Sequence, residues 1–151
     1  MNDAIFKQLK IELETVLKSR FGVDNQALNS LVEKGQSSLK TSMLAYISKH
    51  GTKDAEDMIC SRVEILKSPL RQFAIEALDK GIRGSKELGN HASADFAQVS
   101  VDTLLTGMRQ AFAESGNSKD TQGICQFLGI DPIMLKMINS SVGKLFGKFM
   151  K

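Results

Sequence analysis

Apolar residues recur at three- and four-residue steps from Ile5 to Phe149, and nowhere do two period-2 runs of β-branched residues lie side by side. A chain patterned this way buries its apolar stripes as helices and offers no strand pair from which to build a sheet. The expected fold class is all-α: a single-domain bundle of about six or seven amphipathic helices over residues 1–151. That length suits one hydrophobic core and is short for two.

The first stripe, Ile5, Leu9, Leu13, Val16 and Leu17, predicts a helix over about residues 3–19, closed by Phe21-Gly22. Asp24 reads as the N-cap of a second helix that carries Ala27, Leu28, Leu31 and Val32. It runs to His50-Gly51 unless Gly35 and the Ser37-Ser38 pair bend it. Thr52 or Asp54 is expected to cap a third helix bearing Ala55, Met58, Ile59, Val63 and Leu66. Ser68-Pro69 opens a fourth, since proline is tolerated at the first helical position and serine can cap it. Residues 79–91 hold three glycines and read as the least regular stretch. Val101, Leu104, Leu105, Met108, Ala111 and Phe112 have the cleanest helical spacing. A short helix near 119–128 and a final one near 131–150 complete the pattern.

Composition narrows the function classes. With 42% apolar and 25% charged residues, the chain is neither disordered, collagen-like nor a polytopic membrane protein. The net charge of +3 comes with no dense Lys/Arg run and no aromatic stacking surface, so nucleic acid is not an expected partner. Lys7, Lys10, Glu12 and Glu14 interrupt the N-terminal apolar residues, which therefore resemble neither a signal peptide nor a membrane span. A cytoplasmic location is expected, with Cys60 and Cys125 as two separate thiols.

The chain shows no catalytic constellation, and neither an enzyme activity, a cofactor nor a metal is expected. Gly81-Ile82-Arg83-Gly84-Ser85-Lys86 has the flavour of a phosphate loop but neither its spacing nor a preceding strand, and reads as a flexible connector. His50 and His91 both fall at helix breaks, and no CxxC, HxxxH or HExxH spacing joins them to Cys60 or Cys125. Of the carboxylate groups Glu12/Glu14, Asp54/Glu56/Asp57 and Asp95/Asp102, the second sits in the first turn of a predicted helix, where acidic residues complement the dipole.

A faint internal repeat matches Phe21-Gly22-Val23-Asp24 to Leu128-Gly129-Ile130-Asp131, each followed by an apolar pair at Leu28/Leu31 and Leu135/Ile138. Glycine closes one helix, the aliphatic staples the turn and aspartate caps the next helix. This turn, followed by Val142-Gly143-Lys144-Leu145-Phe146-Gly147, is similar to YidB-like bacterial helical proteins over about residues 121–150 and more loosely over 21–47. Ser141 stands where such proteins tend to carry a proline. The resemblance implies a small helical fold and no assigned activity.

The C-terminal segment carries the strongest functional signal. Met134, Leu135, Ile138, Val142, Leu145, Phe146 and Phe149 share one face of a helix, with Lys136, Lys144, Lys148 and Lys151 opposite and no acidic residue after Asp131. Such a helix closes its own domain's core, docks into a partner's groove or lies on an anionic membrane. The candidate interaction residues are Lys136, Lys144, Phe146, Lys148 and Lys151. The expected function is a non-enzymatic protein-interaction or scaffold module acting through an apolar helical face. The alternative is peripheral membrane binding through the basic C-terminal helix.

Overall fold

The computed structural model describes residues 3–60 and 64–114, and all of their regular structure is helical. Five α-helices, α1 (Asp3–Phe21), α2 (Asn25–His50), α3 (Thr52–Ile59), α4 (Pro69–Ile82) and α5 (Ser93–Glu114), are joined with two 3₁₀ turns, Ile65–Lys67 and Lys86–Leu88. The two helices expected near 119–128 and 131–150, and with them Lys136, Lys144, Phe146, Lys148 and Lys151, lie outside the described residues.

The caps follow the sequence. Gly22 takes a φ of 64°, which closes α1, and Asp24 accepts a hydrogen bond from the Ala27 N–H at 2.7 Å, which starts α2. Val23 between them is buried, so the first copy of the repeat is a stapled junction. Ser68 accepts from the Leu70 N–H at 3.1 Å ahead of Pro69, as the Ser-Pro pair implies.

Three expectations need correcting. Gly35 and Ser37-Ser38 do not bend α2, because Gly35 is buried in an unbroken helix and lets a neighbour approach. Neither Thr52 nor Asp54 caps α3. Gly51 both closes α2 and precedes α3, leaving no spacer before the first turn. The third helix stops at Ile59, and Leu66 belongs to a separate 3₁₀ turn whose N–H is met by the Glu64 carboxylate at 3.2 Å.

In space, α2 packs on α4, α4 on α5 and α5 on α1, with α3 against α2 and α4. Leu9, Leu13 and Leu17 of α1, Leu31 and Met43 of α2, and Met108 of α5 belong to a single buried cluster. Burial of each such side chain supplies about 1.5–3 kcal/mol, the force that holds the layers together. Polar clamps fix their register. Arg71 of α4 donates from Nε and Nη2 to the two oxygens of Asp102 on α5, at 2.6 and 2.9 Å. This paired geometry raises the Arg71 pKa, chiefly through the hydrogen bond to Asp102.

Candidate functional site

An open groove of about 1080 Å³ runs between α1 and α5. Its origin is visible in the two ends of the helix pair. Gly107 of α5 sits against Leu9 and Glu12 near the start of α1, whereas Phe21 at the end of α1 meets Phe96 at 5.0 Å and His91 at 5.1 Å. The helices therefore run antiparallel, and their facing stripes diverge towards solvent to leave a channel. Half-buried Val16 and Val99 line its depth with buried Gly107, while exposed Ile11, Gln98 and Gln110 line its edge.

Ile11 is the one exposed large hydrophobic among the described residues, with 56% of its surface open to water. It lies off the Leu9, Leu13, Leu17 seam that buries the helix, so nothing in the core claims it. Two carboxylates border the same channel, Glu12 and Asp95; Glu12 takes a long hydrogen bond of 3.4 Å from Gln8 Nε2. A third, Asp102, is already held by Arg71. The Thr15 hydroxyl is committed to the Ile11 carbonyl at 2.8 Å, and the groove's histidine, His91, stands edge-on to the Phe21 ring. These groups can hydrogen-bond and bury an apolar side chain, which is the chemistry of binding.

The other sequence candidates are dispersed. His50 stacks on Tyr46 at 4.5 Å, at the opposite end of α2 from the junction that leads to the groove, and Tyr46 in turn meets Phe73 at 5.6 Å. Cys60 is disulfide-bonded, which corrects the expectation of two separate thiols; Cys125 lies outside the described residues. Glu14 pairs with Lys10 at 3.8 Å, and Glu56 of α3 keeps Oε1 buried without a hydrogen-bond partner. Among the described residues no group of three or more His, Cys, Asp or Glu is placed to hold a metal ion.

Gly81-Ile82-Arg83-Gly84-Ser85-Lys86 is not a flexible connector throughout. Gly81 and Ile82 are the last turn of α4, and a Cβ on Gly81 would collide with Ser38 of α2 and lie 2.9 Å from the Lys34 carbonyl oxygen. Only Gly84, at a φ of 79°, turns the chain. The motif divides between helix packing and a turn.

Sequence reasoning missed Ile11. The signal was present, since an isoleucine out of phase with a clear leucine stripe has no place in that stripe's core. Comparison with known protein families, with curated proteins and with solved structures finds no match for the chain.

Proposed function

We propose that the protein is a non-enzymatic interaction or scaffold module whose binding surface is the α1–α5 groove. The observation that carries this reading is the exposed Ile11 at the edge of an open, mixed-polarity channel. An apolar anchor ringed by hydrogen-bonding groups is the usual composition of a protein-binding patch. Within this reading the chain is a single domain, residues 119–128 and 131–150 add a sixth and a seventh helix, and the similarity to YidB-like proteins rests on the motifs of residues 121–150.

Affinity enrichment from native extract, with the wild type and Ile11→Glu as parallel baits, tests the groove. A partner retained by the wild type and by Lys53→Glu but lost with Ile11→Glu supports it. Identical recoveries for all three sink it.

The second reading, membrane-surface binding, is supported by Lys136, Lys144, Lys148 and Lys151 opposite the apolar stripe. Among the described residues no helix is long and apolar enough to cross a membrane. Flotation with anionic vesicles separates the readings. If Leu145→Asp abolishes flotation and leaves the melting temperature unchanged, the segment is a docking element. If it lowers stability by several kcal/mol, while Lys144→Glu stays within about 0.5 kcal/mol, the segment is core. A cytoplasmic location belongs to the proposal, and cell fractionation tests it, because the disulfide at Cys60 is the kind of bond that persists in oxidising compartments.

A further inference from the structure

We propose that the exposed face of α1 is a self-association surface, on which α1 of a second copy packs antiparallel about a two-fold axis at Ile11. This rests on the reading of the α1–α5 face as the binding surface and names its occupant.

At about 100° per residue, Lys7, Gln8, Glu14 and Thr15 lie within about 60° of the direction in which Ile11 points. Lys7, Gln8 and Thr15 are exposed and Glu14 is half-buried, so all stand on the open side of the helix. Gln8 and Thr15 belong to the flank that borders the groove, whereas Lys7 and Glu14 lie on the flank away from α5.

A two-fold axis perpendicular to α1 at Ile11 brings like flanks of the two copies together in opposite directions. Ile11 then meets Ile11 of the second copy. On the outer flank Lys7 stands beside Glu14 of the second copy, and on the groove flank Gln8 stands beside Thr15 of the second copy. Each pair is placed nearly symmetrically about position 11, so every favourable contact occurs twice. A parallel arrangement sets Lys7 on Lys7 and Glu14 on Glu14, which is repulsive. The charge order along α1 thus selects both the occupant and its direction.

A lone exposed isoleucine is ordinary. What exceeds the ordinary is that an opposite-charge pair and a hydrogen-bonding pair surround it in self-complementary register. The existing Lys10–Glu14 contact, at 3.8 Å and open to water, is weak and leaves Glu14 able to serve a second cation. A stable dimer buries roughly 1,200–2,000 Å² in total. One helix pair of about 28 Å with the adjoining groove walls falls at the small end of that range, which sets the expectation of a concentration-dependent dimer.

Sedimentation velocity of the purified full chain, from micromolar concentration to about 1 mM, reads the equilibrium directly. The wild type is expected to shift from monomer to dimer. Lys7→Glu should weaken the dimer about tenfold or more by opposing two carboxylates, and Ile11→Asp should abolish it. Lys7→Glu combined with Glu14→Lys should restore it to within a few-fold of the wild type, with circular dichroism confirming helix content in every variant. A wild type that stays monomeric, a Lys7→Glu protein that associates like the wild type, or a double reversal that remains as weak as the single one overturns the inference. A monomer whose foreign partner is still lost with Ile11→Glu overturns self-association alone and leaves the interaction reading standing.

Discussion

The hydroxyl of Ser30 donates a hydrogen bond to Oε2 of Glu87, across 57 residues of sequence. Lys34, one turn along α2, reaches Oε1 of the same carboxylate at 3.3 Å and the Ser85 hydroxyl at 3.2 Å. The Lys86–Leu88 turn is thereby tied to the middle of α2, which anchors the otherwise irregular connection between α4 and α5.

This network predicts an acid-sensitive step. The Ser30 hydroxyl, then the backbone N–H of Glu87 and the ammonium of Lys34, hold the Glu87 carboxyl down at about 2, from an ordinary value of 4.5. A carboxyl depressed on folding contributes stability that is fully present above its unfolded pKa and is lost as pH falls through its folded one. The window is therefore pH 4.5 down to about 2. Urea unfolding across that window should show Glu87→Gln less stable than the wild type at its upper end, with the two converging at the lower. Parallel curves for the two proteins contradict the assignment.

Two helix-packing glycines should respond unequally to alanine. At Gly81 the added methyl meets Ser38 Cβ and the Lys34 carbonyl oxygen, neither of which can move without shifting α2. Gly81→Ala should lower stability by about 1–3 kcal/mol, the range for overpacking. At Gly107 the obstacle is the far end of the Leu9 side chain, which can change rotamer. Alanine also favours the helix by about 1 kcal/mol over glycine. Gly107→Ala should therefore stay within about 1 kcal/mol of the wild type, and thermal unfolding of the pair checks the order.

Ser68 is the buried cap of α4. Ser68→Ala should destabilise by about 1 kcal/mol, within the usual span of about 0.5–2 kcal/mol for a lost N-cap. Ser68→Asp keeps an acceptor but buries a charge, so it should be no better than alanine. Denaturant midpoints at constant m-value measure both.

The disulfide at Cys60 should protect that thiol. Alkylation of the unfolded protein without reductant, followed by peptide mass mapping, is expected to leave Cys60 unmodified and to label it only after reduction. Labelling before reduction contradicts the bond.

Sequence alone determined what depends on neighbours in the chain. The leucine stripe of α1, the Gly22–Asp24 junction and the Ser68-Pro69 start are local, because periodicity and capping involve groups three or four residues apart. Tertiary structure decided everything that depends on residues far apart. That Gly35 continues a helix while Gly84 turns the chain depends on what packs against each, and that Gly81 is a contact point depends on Ser38. The candidate site shows the same division. Ile11 was readable as out of phase with its helix, but the groove beside it exists only because α5 returns antiparallel to α1 across more than seventy intervening residues. The spacing of apolar residues says which side of each helix is buried. It does not say which helix covers it, because many pairings bury similar area and only side-chain fit and clamps such as Arg71–Asp102 choose among them.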